Sequence, residues 1–471
     1  MAARDGVDKD ERGTIGMNIA DAIGVLERNK SISTIKPVVF DLNGVARGKR
    51  LPVSQAKKAL GGGLKLPLST MFLDIWGRDV VGSGQVLETG DGDGALRPTE
   101  RGLLPATWKD NREALLPLSM FHEDGTPYAA DPRHALASVV ARYREKKLTP
   151  VCATELEFYF YDPMTNTPEA SGAMKPPLAP DGRRQLKTNA LYTLDDLERF
   201  DGLFDDIYTA CAAWDIPADS AISENGCGQF EINLRHGPDA LRVADDAQLF
   251  KYVVKAVARR HNLAATFMAK PYGEESGSGF HTHVSILNEE GENIFANGAP
   301  EGADALRYAV GGLINAMAPS MLVFAPHANS YRRLRDGSHA PINASWGYDN
   351  RTAAVRIPSG PDAARRLEHR VAGADANPHL VLCAVLGAML TGLTAGADPG
   401  APISDNAYAS ASTRLPAHWR EAIVLFKSNE TTRDIFGDFL VDVFAACKEQ
   451  ELASFEAIVP TAEHDAYRDA V

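Results

Sequence analysis

Four short stretches of the chain alternate residues able to do chemistry with apolar ones at a spacing of two. From Val151 to Tyr161 the order Val-Cys-Ala-Thr-Glu-Leu-Glu-Phe-Tyr-Phe-Tyr reads as a strand. Successive strand side chains point to opposite faces, so Glu155 and Glu157 share one face and Leu156, Phe158 and Phe160 take the other. From Ser223 to Leu234, a glycine-containing turn brings Glu224 near a strand with Gln229, Glu231 and Asn233 on one face. The stretch from Gly277 to Ile286 aligns His281, His283 and Ser285, and Arg366 to Arg370 presents Arg366, Glu368 and Arg370 together. One strand of this kind is equally well explained as a solvated surface; a set of four calls for a shared site.

If these faces line one cavity, Glu155, Glu157, Glu224, Glu231 and Glu368 meet there, and buried carboxylates stay ionised only beside compensating charge. Two divalent cations would supply most of it. Oxygen donors with a single histidine favour Mg²⁺ or Mn²⁺ over zinc, and neighbouring arginines suit phosphate or carboxylate substrates. The chemistry so implied is metal-assisted phosphoryl transfer.

The rest of the chain must hold these strands. With 471 residues and 44% hydrophobic content it can bury a large core in two or three domains. Residues 1–16 mix charges without an apolar run and are expected to form a flexible tail, not a signal peptide. Residues 17–122 alternate short β-like runs (Pro37 to Leu42, then Leu51 to Val53 after a turn at Gly44 to Gly48) with glycine- and proline-rich breaks, as a small α+β domain would. A helix is expected from Asp131-Pro132-Arg133, leading to a junction at Leu148-Thr149-Pro150. Residues 123–471 carry the polar-faced strands and amphipathic helices such as Asp245 to His261, and Thr165 to Asn189 reads as an exposed loop.

Several function classes fall away. The 62 acidic residues exceed 49 basic ones, giving a formal charge of −13, so no nucleic-acid partner is expected. The five cysteines, Cys152, Cys211, Cys227, Cys383 and Cys447, lack CxxC spacing and fit reduced thiols of a cytoplasmic protein. Leu380 to Ala397 is uncharged and approaches the ~20 residues of a membrane span, but it holds three glycines and reads better as a core helix. No membrane partner is expected.

Glu-Leu-Glu at 155–157, Ser-Gly-Ser-Gly-Phe-His-Thr-His ending at His283, Asn329-Ser-Tyr-Arg-Arg-Leu334, Asn350-Arg-Thr-Ala-Ala-Val-Arg-Ile-Pro358, and Arg-Leu-Glu-His-Arg370 followed by Asn377-Pro378 occur in one order along the chain. In that order and approximate spacing they resemble the glutamine synthetase family, over roughly Lys36 to Phe455. The resemblance implies an α+β fold: a small β-grasp-like N-terminal domain before a large catalytic domain with a curved antiparallel sheet and surrounding helices. It implies ATP, glutamate and an amine as substrates, and active sites between subunits of a dodecamer of two hexameric rings. Motif by motif, it assigns one metal to Glu157, Glu224 and Glu231 and the other to Glu155, His281 and Glu368. Arg333 and Arg370 are implied as clamps for glutamate carboxylates, with backbone contacts from Gly277. Arg351, Arg356 and Arg366 are implied as ATP-phosphate and transition-state contacts, with His283 and Ser285 on the nucleotide side.

The amine half departs from that pattern. Where glutamine synthetases carry a Val-Pro-Gly-Tyr-Glu-Ala-Pro type loop, this chain reads Leu334-Arg-Asp-Gly-Ser-His-Ala-Pro341, which puts His339 at the position of the ammonium-binding glutamate. Ser276 replaces the usual asparagine, and Leu73-Asp74-Ile75-Trp76 replaces an Asp-Gly-Ser-Ser segment. The motifs are most similar to those of γ-glutamylpolyamine synthetases and glutamate–alkylamine ligases, so the expected product is a γ-glutamyl amide of an organic amine. Two alternatives stand beside it: an ordinary glutamine synthetase using ammonium, and a catalytically silent nitrogen sensor or structural ring.

Overall fold

The computed structural model describes residues 19–163, 174–177 and 191–471, so the expected tail at 1–16 and most of the expected loop at 165–189 lie outside the described residues. The N-terminal part builds a seven-stranded sheet in the order Ala46–Gly48, Thr34–Phe40, Glu113–Phe121, Asp93–Pro98, Leu64–Pro67, with Leu51–Pro52 and Leu104–Pro105 at its sides. Its centre is a parallel pairing that sets Thr34 against Glu113 and Val38 against Pro117. The expected turn at 44–48 is shorter than its sequence suggests. Asp41 accepts a hydrogen bond from the Val45 amide (2.8 Å), Gly44 takes φ +71°, and Ala46–Gly48 already runs back as a strand. Glycine suits that left-handed position because it has no Cβ to clash.

The helix Pro132–Glu145 starts where expected. The Asp131 carboxylate accepts from the Arg133 amide (2.9 Å) and Pro132 occupies the first turn, where no amide is needed. After it the chain enters the strand Thr149–Tyr161 at once, so Leu148-Thr149-Pro150 is a tight helix-to-strand connection.

That strand is the spine of an eight-stranded sheet ordered Trp346–Tyr348, Val355–Ile357, Leu367–His369, Phe280–Leu287, Thr149–Tyr161, Gln229–Gly237, Ala218–Ser223, with Ala264–Thr266 also paired to the spine. All its pairings are antiparallel except the one between Trp346–Tyr348 and Val355–Ile357. The period-two reading holds. Leu156, Phe158 and Phe160 are fully buried, and Phe158 packs edge-on against Phe250 of the helix Ala240–Ala258, ring centroids 6.1 Å apart. The opposite face is left for the polar set.

The helix Pro378–Ala395 is long and apolar enough to cross a membrane by composition, yet 78% of it is buried inside the protein. Gly392 allows the packing: a Cβ on Gly312 of the helix Asp304–Met317 would lie 2.1 Å from the Ala388 carbonyl and 2.8 Å from Gly392 Cα. The two helices touch backbone to backbone. Two buried ionic networks tie the N-terminal sheet region to this body. Arg101 pairs with Asp246 (2.9 Å) while Arg133 and His379 both reach Asp245 (3.1 and 2.8 Å). Lys448 and Glu451, both fully buried, pair at 2.9 Å and hold Asn43. All five cysteines are buried, and no disulfide joins any of them among the described residues.

Candidate active site

Register puts the polar faces together. Glu157 lies directly across from Glu231, and Glu155 stands between Asn233 on one neighbouring strand and His281 on the other. Glu368 lies across from His283 and, on its other side, from Arg356. The donor atoms of Glu155, His281 and Glu368 all fall within 4.8 Å of one another, and so do those of Glu157, Glu231 and His281. The first group is the one the motifs imply. In the second, His281 stands where the motifs imply Glu224.

Glu224 follows the strand Ala218–Ser223, with its amide donating to the Gln229 carbonyl (3.0 Å). It still belongs to the same electrostatic cluster. Burial, followed by the charges of Glu157 and Glu155, pushes its carboxyl up to about 8. Glu231 is pushed up to about 10 by burial and then by Glu155, Glu157, Glu224 and Glu368. Burial also raises Glu155, but the hydrogen bonds and charges of His281 and His283 outweigh it and hold that carboxyl well below the usual range. Burial likewise opposes ionisation of Glu368, and Arg370, His281 and His283 together bring it down to about 2. The donor set therefore fits divalent cations: hard carboxylate oxygens and one imidazole, crowded enough that Glu224 and Glu231 retain protons unless positive charge enters.

The imidazoles are ordered by their partners. Arg366 Nε donates to His283 Nδ1 (3.3 Å), so that nitrogen accepts and Nε2 carries the proton toward Glu155 Oε1 (2.8 Å). His281 Nδ1 lies 3.3 Å from Glu155 Oε2 and 3.7 Å from Glu368. Ser285 stands one step further along the strand, across from Val151 and half-buried, away from the carboxylates.

The arginines divide into buried and exposed. Arg333 is buried, donating from Nη1 to the Val371 carbonyl (2.8 Å) and from Nη2 to that of Arg370 (3.4 Å). Gly277 backs it: a Cβ there would sit 2.7 Å from Arg333 Cγ. Arg370 donates to Glu368 Oε1, and Arg356 bridges Glu368 Oε2 (3.0 Å) and Asp349 (2.7 Å). Glu368 is thus clasped by two guanidiniums, of which the two-residue spacing announces Arg370 but not Arg356. Arg351 is exposed and acts on the cluster by lowering Glu224 through its charge. His339 is exposed on the 335–340 turn at φ +58°, which Ser338 closes by donating to the carbonyls of Arg333 (2.9 Å) and Arg335 (2.6 Å).

Three further residues shape the site. Gln229 donates to Glu157 (3.3 Å) and to the Gly277 carbonyl (3.0 Å), and the Gly279 amide donates to Glu157 (2.8 Å). A Cβ on Gly279 would lie 2.9 Å from His281 Nε2, 3.0 Å from Arg333 Nη2 and 3.3 Å from Glu157 Oε1. The place of Gln229 on the polar face was a usable signal for the first. Tyr408, whose hydroxyl donates to the Ala340 carbonyl (3.2 Å), ties the His339 turn to a distant loop, and no local pattern marks it.

A buried carboxylate–imidazole cluster flanked by arginines on a largely antiparallel sheet suits divalent cations held beside phosphate or carboxylate groups. Residues 129–467 match the glutamine synthetase catalytic domain. The chain is similar to gamma-glutamylputrescine synthetase PuuA of Escherichia coli (strain K12), 38% identical over 438 residues that span 93% of this chain and 92% of that one. It is 30% identical over 454 residues to glutamate–isopropylamine ligase of a Pseudomonas species, covering 94% and 96% of the two chains. Among solved structures it resembles a GmaS/ADP complex, with TM-score 0.83 and 28% identity over 96% of this chain and 100% of that one. The chain belongs to the glutamine synthetase family.

Proposed function

We propose that this protein joins the γ-carboxylate of glutamate to an organic amine, a polyamine or alkylamine, with ATP as co-substrate and γ-glutamyl phosphate as intermediate. The observation that carries the reading is the clustering of Glu155, Glu157, Glu231, His281 and Glu368, joined to a turn whose His339 falls where the resemblance to glutamine synthetases implies an ammonium-binding glutamate. Likeness to putrescine- and isopropylamine-ligating enzymes supports the organic amine.

Glu155, His281 and Glu368 would hold one Mg²⁺ or Mn²⁺, and Glu157 and Glu231, with Glu224 or His281, the second. When bound, such ions neutralise phosphate charge during transfer. Arg333, buried and braced by Gly277, offers a fixed guanidinium fork for a glutamate carboxylate, and Arg370 extends that positive wall. Arg351, Arg356, Arg366, His283 and Ser285 serve the nucleotide side, where Arg351 is free to approach a developing phosphoryl charge. His339 accepts the proton that the amine gives up on attack. A domain of residues 17–122 and a catalytic domain of residues 123–471 complete the subunit, and a dodecamer with sites shared between subunits would cover Trp76, which is 46% exposed.

The test is ADP release by full-length protein with Mg²⁺ and glutamate across ammonium, short alkylamines, ethanolamine, putrescine and spermidine. Turnover that requires glutamate and prefers one organic amine supports the proposal. Preference for ammonium would make the protein an ordinary glutamine synthetase, and absence of turnover with every amine would leave the silent-ring reading.

A further inference from the structure

Away from the carboxylate cluster, a cleft of about 710 Å³ opens between the N-terminal sheet region and the helix Ala240–Ala258. None of the metal, glutamate or nucleotide residues described above lines it, and the Leu73–Trp76 segment contributes Ile75 alone. One stripe of that helix does: Gln248, Lys251, Tyr252, Lys255 and Arg259, at the three- and four-residue spacings that share a helix face. Arg332 faces them from the other side.

This stripe works against the helix. Lys251 and Lys255, then Lys255 and Arg259, are like charges four residues apart, an arrangement that destabilises a helix. Burial and then Lys255 hold Lys251 down to about 7. Lys251 is buried and donates to the Ala376 carbonyl (3.0 Å), yet neither it nor Lys255, Arg259 or Arg332 makes an ion pair among the described residues. Both ammonium groups instead lie 5.6 Å from the centre of the Phe267 ring. The one carboxylate of the lining, Asp375, accepts from Ser330 at Oδ2 (2.6 Å), leaves Oδ1 without a hydrogen-bond partner and feels the charge of Lys251. Four basic residues thus face one carboxylate in a chain whose formal charge is −13. The remaining wall is apolar and partly open, with Ile75, Met268 and Phe455 each more than a third exposed.

We propose that this cleft is a second binding site, for a small organic anion that carries a carboxylate or phosphate on an apolar body. Its acidic group sits among Lys251, Lys255, Arg259 and Arg332, and its apolar part covers Met268, Ile75 and Phe455. Such a ligand supplies the negative charge the stripe lacks and removes exposed apolar surface from water.

Isothermal titration of the full-length protein with phenyl phosphate, phenylacetate and inorganic phosphate tests this, the first two separating phosphate from carboxylate recognition. One of the phenyl anions should bind about tenfold more tightly than inorganic phosphate, which has no apolar part. In Lys255→Ala/Arg259→Ala that affinity should fall by about tenfold or more through loss of charged donors. Ligase turnover without added anion should stay within about twofold, as for other exposed positions away from a site. The ligand-free melting temperature should not fall, since two like-charge pairs are removed. Unchanged affinity in the double variant overturns the proposal, as does failure of both phenyl anions to bind at millimolar concentration. So does a drop in sedimenting mass of the variant, which would show that an acidic segment of a neighbouring copy fills the cleft.

Discussion

In metal-free buffer at pH 7, Glu231→Gln should raise the melting temperature while abolishing amine ligation. Glu231 is buried, and its carboxyl is raised from 4.5 to about 10 by desolvation and then by Glu155, Glu157, Glu224 and Glu368. The folded protein therefore keeps a proton there that the unfolded chain releases. Holding it at pH 7 costs 2.303RT for each pH unit above the unfolded value, roughly 3 kcal/mol as a ceiling, because the neighbouring carboxylates share the repulsion. The sign follows from the upward shift: this contribution to stability is fully present below about pH 4.5 and is lost as pH rises toward 10. Glutamine needs no proton and keeps the shape. For 471 residues, an unfolding entropy of about 2 cal/mol/K per residue turns that ceiling into about 3 °C. The advantage of the variant should vanish near pH 5 and grow to pH 8. Mg²⁺ should reverse the order, since the cation replaces the proton in the wild type and the variant has lost a donor. Differential scanning fluorimetry in EDTA and in Mg²⁺ reads both effects. A variant that melts below the wild type in EDTA at pH 8, or gains as much from Mg²⁺, would refute the reasoning.

Gly279→Ala should cost about 1–3 kcal/mol of stability and most of the turnover, because its Cβ meets His281, Arg333 and Glu157 at once. Urea unfolding and steady-state kinetics check this, and a fully active variant would mean the three groups need not be so close. Arg333→Lys should raise the KM for glutamate about tenfold or more with little change for ATP, since an ammonium cannot replace the fork; equal changes for both substrates would contradict its role. Asp245→Ala leaves Arg133 and His379 without their buried partner and should destabilise by about 3–5 kcal/mol in denaturant titration. His339→Glu should raise the ratio of kcat/KM for ammonium over that for putrescine, and an unchanged ratio would place amine selection in the Met71–Trp76 segment.

Much of this site was legible because a strand repeats every two residues and the carboxylates obey it: Glu155, Glu157, Glu231 and His281 meet on the face that alternation assigns to them. The apolar partners Leu156, Phe158 and Phe160 complete the same pattern. Which carboxylate joins which was harder to read. Grouping depends on cross-strand register, and Glu224 leaves its strand just before the turn that brings Glu231 opposite Glu157. The clasp of Arg356 and Arg370 on Glu368 likewise needs the order of short strands near the sheet edge, which no local period fixes. Tyr408 and the Asp245 network join residues far apart in sequence. The apolar run at Leu380 to Ala397 was readable as core from its glycines and from its being the single such run in the sequence, and the purpose of one of them, the backbone contact of Gly392 with Gly312, appears once the two helices are placed.

The central claim, ligation of glutamate to an organic amine, is tested most directly by one competition experiment. Full-length protein would receive ATP, Mg²⁺, glutamate and equal concentrations of ¹⁵N-ammonium and putrescine, with products resolved by mass spectrometry. The account predicts a γ-glutamyl amide of putrescine in excess over labelled glutamine, formed one for one with ADP. Labelled glutamine as the dominant product, or ADP formed without any amide, would contradict it.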